Sequence, residues 1–135
     1  MPDWIAVTLY FINSETAEKV YNENQKDGHF SFEAILPLPE SPKPYLNWYT
    51  WCCENWGTKW DCCLNPLGDR QEFAALNGNT IAFYTPWTPP VGIIKKLSEK
   101  YHTKIICAWL DDGNLFTNLD EYTPGAEPVS YYTQF

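Results

Sequence analysis

Residues Thr88 to Leu110 read TPPVGIIKKLSEKYHTKIICAWL, and this stretch decides the fold. Thr88 can cap a helix, and proline suits the first helical position, where the missing N–H has no partner to lose. Val91, Ile94, Leu97 and Tyr101 then recur at helical spacing. Lys104 to Leu110 follows as a short, nearly continuous apolar run, which predicts a buried strand. The same unit stands in reverse at the start of the chain. Ile5 to Ile12 (IAVTLYFI) predicts a strand, after which Asn13 or Ser14 can cap a helix carrying Glu15 and Glu18 in its first turn. Ala17, Val20 and Tyr21 form the apolar face of that helix, and Gly28 marks its end.

Between these units, Asn77-Gly78 is the strongest hairpin signal in the chain. It predicts a turn between a weak strand near Gln71 to Ala75 and a better one from Asn79 to Tyr84. Asp112-Gly113 predicts a second turn, with Asn114 to Tyr122 returning as a strand. The order strand, helix, strands, helix, strand is the split βαβ plan: α+β, ferredoxin-like, an antiparallel sheet with two main helices. A Pro/Trp-rich insertion interrupts it. Phe30 to Leu36 leads into Pro37, Pro39, Pro42 and Pro44, a stiff surface connection. Tyr45 to Trp56 predicts a short helix closed by Gly57, and Thr58 to Leu64 predicts a strand.

The 135 residues suit one domain, expected over 1–135, with an acidic, aromatic C-terminal extension from about 117 to 135. No apolar run approaches the ~20 residues of a membrane span. No basic start followed by an apolar stretch suggests a secretory signal, so a cytoplasmic location is expected. Cys52, Cys53, Cys62, Cys63 and Cys107 are odd in number, which favours free thiols. Adjacent cysteines lack the two-to-four-residue spacing of structural zinc sites, so no metal is expected.

Aromatic residues make up 17% of the chain, with seven tryptophans, enough for a bulky core and a recognition surface together. Asn55-Trp56-Gly57-Thr58-Lys59-Trp60-Asp61 concentrates them. As a ligand site, Trp56 and Trp60 would be platforms for a planar group, with Asn55, Lys59 and Asp61 giving polar contacts. As a structural element, Gly57 would turn the chain, the two indoles would pack under the sheet, and Lys59 and Asp61 would bond locally. Trp87 offers the same choice, and a meeting of Trp87 with Trp60 beside Asp61 would favour the ligand.

Catalytic signals are weak. His29-Phe30-Ser31 fits the histidine-x-serine pattern of two-histidine phosphoesterases once, and His102-Thr103-Lys104 supplies no second copy. There is no glycine-rich phosphate loop and no nucleophile elbow. No catalytic residue, cofactor or enzymatic activity is expected.

The charge distribution says more. Seventeen acids against nine bases give a net charge of −8, which excludes a generic binder of the phosphate backbone. Five of those acids, Asp111, Asp112, Asp120, Glu121 and Glu127, fall after Lys104 with no base among them. Tyr122, Tyr131 and Tyr132 lie among or after them. Carboxylates interleaved with aromatics suit docking onto a basic protein surface, the acids steering and the rings anchoring.

Four segments in one order carry a family resemblance: Met1-Pro2-Asp3-Trp4, Phe32 to Glu40 (FEAILPLPE), the NWGTKWD run, and Thr85-Pro86-Trp87-Thr88-Pro89-Pro90. Over residues 1 to 116 the chain resembles the phage and plasmid family with a YubB-type ferredoxin-like domain. The resemblance implies the ferredoxin-like fold and a mobile-element origin, and supplies no catalytic residues. The cysteine pairs and the acidic tail depart from the family pattern. The expected function is a non-enzymatic phage or mobile-element protein. It would inhibit a host nucleic-acid-dependent defence protein, as an anti-CRISPR does, by binding its basic surface in the host cytoplasm. The alternative is a small-molecule or nucleotide-binding module built on the tryptophans.

Overall fold

A computed structural model describes residues 4–39, 48–62, 74–111 and 116–134, without the side chains of residues 49, 116 and 132–134. In chain order the elements are β1 (Trp4–Tyr10), α1 (Ser14–Glu23), β2 (Gln25–Lys26), β3 (His29–Phe30), α2 (Phe32–Ile35), α3 (Trp48–Asn55), β4 (Ala75–Asn77), β5 (Thr80–Pro86), α4 (Val91–Tyr101), β6 (Ile105–Asp111), β7 (Phe116–Tyr122) and β8 (Val129–Gln134). Six strands form one antiparallel sheet in the order β4-β5-β1-β6-β7-β8, and β2 pairs with β3 separately. The sequence β1-α1-β4-β5-α4-β6, with its four strands side by side in the order β4-β5-β1-β6, is the ferredoxin-like plan. Residues 32–55, carrying α2 and α3, are inserted within it, and β7 and β8 widen the sheet.

Period-2 alternation gives the sheet its two faces. Ile5, Val7 and Leu9 of β1, Ile81 and Phe83 of β5, and Ile105 and Cys107 of β6 are buried on one side. Ala17 and Val20 of α1 and Ile93, Ile94 and Leu97 of α4 cover them. The C-terminal ends of the two helices are tied by Asn24, which is fully buried. Its amide donates to the Val20 carbonyl (2.7 Å) and to the Tyr101 hydroxyl (2.9 Å), and its carbonyl accepts from Lys100 (3.2 Å). Every hydrogen-bonding group of that buried side chain is thus engaged, which is what makes its burial tolerable. On the opposite face Tyr10, Tyr84, Leu119, Val129 and Tyr131 are exposed.

Several expectations hold in detail. Asn13 caps α1, accepting from the Thr16 N–H at 2.8 Å. Asn77-Gly78 turns β4 into β5, Gly57 (φ +86°) closes α3, and Cys52, Cys53, Cys62 and Cys107 are free thiols. Cys63, Asp112-Gly113 and the prolines at 42 and 44 lie outside the described residues.

Three expectations need correction. Residues 58–62 form no strand, because their polar side chains bond the backbone of other elements in place of a ladder. The weak strand expected at 71–75 is Ala75–Asn77, with 71–73 outside the described residues. Thr88 does not cap α4. Pro90 occupies that position without a side-chain cap, and the Thr88 hydroxyl instead donates to the Gly57 carbonyl at 2.6 Å. In the acidic C-terminal extension, residues 116–122, close to the strand expected from Asn114 to Tyr122, and residues 129–134 are strands of the main sheet.

The α3–α4 junction is a backbone contact. The Gly92 N–H donates to the Trp56 carbonyl at 3.1 Å, and a Cβ on Gly92 would run into the Asn55 carbonyl. A Cβ on Gly57 would lie 2.8 Å from the Val91 nitrogen. Gly92→Ala should therefore destabilise the fold by about 1–3 kcal/mol or more, as overpacking does. Gly78→Ala, which meets open space at φ +61°, should cost only the left-handed penalty of about 1–2 kcal/mol. Urea unfolding of both variants checks the ranking.

Candidate functional site

The segment after α3 positions the site through side chains. Trp56 is buried, and its indole N–H donates to the Leu36 carbonyl at 2.8 Å. The Thr58 hydroxyl donates to the Pro86 carbonyl at 3.0 Å. Asp61 reaches across to α2. Its carboxylate accepts from the Ser31 hydroxyl (2.5 Å), the Phe32 N–H (2.9 Å) and the Glu33 N–H (3.2 Å). Those two amides are unpaired donors at a helix start, so Asp61 caps α2 from 29 residues along the chain. Ser31, the local cap, also accepts from Glu33 at 3.1 Å.

These ties enclose an open cleft of about 340 Å³. Its apolar walls are Trp48, Trp56, Trp60 and Leu38, with Cys52 from α3. Its polar rim comes from the β2–β3 turn and the start of α2: Lys26, Asp27, His29, Ser31 and Glu33, with Asp61 behind them. Lys26 pairs with Glu33 at 2.6 Å. The Glu33 carboxylate, with Asp27 and Asp61 beyond it, raises the Lys26 pKa. Trp60 meets Trp4 and Trp87 edge-on, each with ring centres 6.0 Å apart. The Trp60 indole N–H is buried with no acceptor among the described residues.

Of the expected ligand residues, Trp56, Trp60 and Asp61 line the cleft. Asn55, Lys59 and Trp87 do not. Asn55 donates to the Trp51 carbonyl at 2.9 Å, while the Lys59 ammonium sits 4.3 Å from the centre of the Trp87 ring. Trp60 and Trp87 meet, which favours the ligand reading, while the Asp61 carboxylate is engaged in holding α2. His29 lines the cleft, and His102 ends α4 in the left-handed region (φ +48°), so the two histidines belong to different elements. Among the described residues no group of three or more His, Cys, Asp or Glu could hold a metal ion. No helix there is long and apolar enough to cross a membrane.

The expected docking acids are not one surface. Asp120 and Tyr122 pair in register with Cys107 and Ile105, which turns both toward the helices and buries them. Asp120 accepts from the Trp109 indole at 2.9 Å, so neither residue can anchor a partner. Glu121 pairs with Lys104 (2.8 Å) and Glu127 with Lys95 (2.9 Å). Asp111 ends β6 half-buried, Tyr131 is exposed on the uncovered face, and Asp112 and the Tyr132 side chain lie outside the described residues.

Burial, reinforced by Cys53, Asp61 and Glu33, pushes the Cys52 thiol up to about 11. Burial likewise raises the Cys107 thiol and the Tyr122 phenol. These groups hold their protons more tightly folded than unfolded. Their contribution to stability is complete below about pH 9 and is lost as pH rises through the folded values. Alkylation of native protein at pH 8, mapped by peptide mass, should label the exposed Cys53 well before Cys52, Cys62 or Cys107. Asp61→Ala should cost about 1–2 kcal/mol in urea unfolding through loss of the α2 cap.

The fold has a solved counterpart. The chain superimposes on a crystal structure of protein api92 from Yersinia pseudotuberculosis with a TM-score of 0.54 at 16% identity, over 79% of this chain and 40% of that one. This chain thus spans well under half of that protein's length, and the likeness concerns the fold. No curated protein matches the sequence. Residues 57–134, from the Gly57 turn through the last strand, match the family described as the ferredoxin-like domain in Api92-like protein, and the chain belongs to that family.

Proposed function

We propose that this domain is a non-enzymatic binding protein whose ligand seats in the tryptophan-lined cleft. The observation that carries the reading is Trp48, a large aromatic side chain 47% exposed at the mouth of a concave site whose inner walls are Trp56 and Trp60. Concave sites with apolar walls and a few polar groups at the rim are the usual form of a ligand pocket. Indole faces favour planar groups, which gain stacking contact and lose little entropy on binding. The sole histidine at the rim, His29, has no second histidine beside it to complete an acid–base pair.

A second reading is a phage or mobile-element protein, with the YubB-type domain resembled above, that acts in the host cytoplasm. There it would inhibit a nucleic-acid-dependent defence protein through that protein's basic surface. The net charge of −8 supports it. The exposed sheet face adds Leu119 of β7 and Val129 and Tyr131 of β8, an edge strand among the described residues, as apolar contacts. The lysine pairing of Glu121 and Glu127 leaves those two acids less to offer a basic partner, so the apolar contacts would carry more of the binding.

Trp48→Ala separates the readings. It should abolish the tryptophan fluorescence change on adding a planar ligand and should shift the urea midpoint little, since the residue is half-exposed. Unchanged fluorescence of the wild type across neutral, cationic and anionic planar compounds would remove the cleft reading. Leu119→Glu should weaken only the binding of a protein partner, read by pull-down at low and high salt.

A further inference from the structure

We infer that the group the cleft accepts is a planar cation of the guanidinium or amidinium class. This rests on the cleft being the ligand site and names its substrate chemistry. Three acidic residues, Asp27, Glu33 and Asp61, line the site with one lysine, Lys26, which Glu33 already pairs at 2.6 Å. The negative field reaches the inner wall, because Asp61 and Glu33 both oppose ionisation of Cys52. A phosphate or carboxylate ligand would enter against that field. A cation would enter with it.

The walls suit the same class. Indole carries negative potential on its faces, and a guanidinium stacks there through both its charge and its plane. Guanidinium is also weakly hydrated, so moving it into an apolar cleft costs less than moving a compact ammonium. Asp27 is the carboxylate best placed to receive it. Ser31, Phe32 and Glu33 occupy the Asp61 oxygens, and Lys26 occupies Glu33. Asp27 stands at the tip of the β2–β3 turn with φ +54°, a conformation that asparagine shares at little cost. Asp27→Asn therefore removes the charge while keeping the backbone.

Tryptophan fluorescence titration of the full chain tests the assignment with four probes: benzamidine, N-acetylarginine amide, adenosine and AMP. The two cations should bind at least tenfold more tightly than adenosine, with AMP weakest. Asp27→Asn should weaken the cations about three- to tenfold and leave adenosine unchanged, and added salt should weaken the cations alone. Adenosine or AMP binding as tightly as the cations would overturn the charge assignment while keeping the cleft as a ligand site. So would cation affinity indifferent to Asp27→Asn. Silence from all four probes would overturn both. A short arginine-containing peptide distinguishes the source. Tighter binding than the free amide assigns the cation to a protein side chain, and equal binding assigns it to a small molecule.

Discussion

The backbone approach of Gly57 and Gly92 is the constraint on which the rest of the site depends. Two chain segments 35 residues apart can touch at main-chain distance only where neither carries a Cβ. The contact is fastened on both sides. Gly92 donates to the Trp56 carbonyl, Thr88 to the Gly57 carbonyl, and Thr58 to the Pro86 carbonyl. Each bond joins the chain at the end of α3 to the stretch running from the end of β5 to the first turn of α4. The α4 helix is itself fixed on the sheet by Ile93, Ile94 and Leu97, so the tryptophan segment inherits a rigid base. From there Trp56 reaches Leu36 and Asp61 reaches α2, and the cleft is the space those reaches leave open.

The acidity of the chain is distributed in a way that total charge conceals. The C-terminal acids are mostly spent inside the structure. Asp120 is buried against Trp109, while Glu121 and Glu127 meet lysines. Exposed pairs of that kind add little stability, about 0–1 kcal/mol each, but they do cancel local field. Part of the unbalanced charge lies instead around the cleft, where three acidic residues stand near one lysine. A field focused by apolar walls acts on a ligand more strongly than the same charges spread over a solvated strand.

The sheet and both principal helices were legible in the sequence because they rest on local pattern. Ile5 to Leu9 alternates, Val91 to Tyr101 keeps its spacing, and Asn77-Gly78 makes a turn wherever it falls between strands. What escaped depends on distant partners. The four residues Phe32–Ile35 are helical with Asp61 holding the first two of their amides, and nothing near them in sequence announces that carboxylate. Thr88 looks like a cap until Gly57 offers it a closer acceptor. Asp120 and Tyr122 read as surface because acids and aromatics interleave there, yet β-register alone decides which face they join. At the site, Trp56, Trp60 and Asp61 stood out by their density. Lys26, Asp27 and Glu33 looked like ordinary solvated charges, and only the fold brings them to the indoles. Ser31 before Phe32-Glu33 was the one available signal, as a helix start within reach of an acid.

Size narrows what the cleft can accomplish. About 340 Å³ is near the lower end for small-molecule sites, which run from about 300 to 1,000 Å³. One planar side chain fits well within it. Small fully desolvated pockets flanked by flatter surface are where protein interfaces concentrate their energy, and arginine is among the residues that fill them. The cleft and an extended protein contact are therefore compatible on physical grounds. The cleft would supply the anchoring site, and the surrounding surface would supply area, shape and exclusion of water. The tryptophans would then set how long a complex lasts, and the acids how fast it forms.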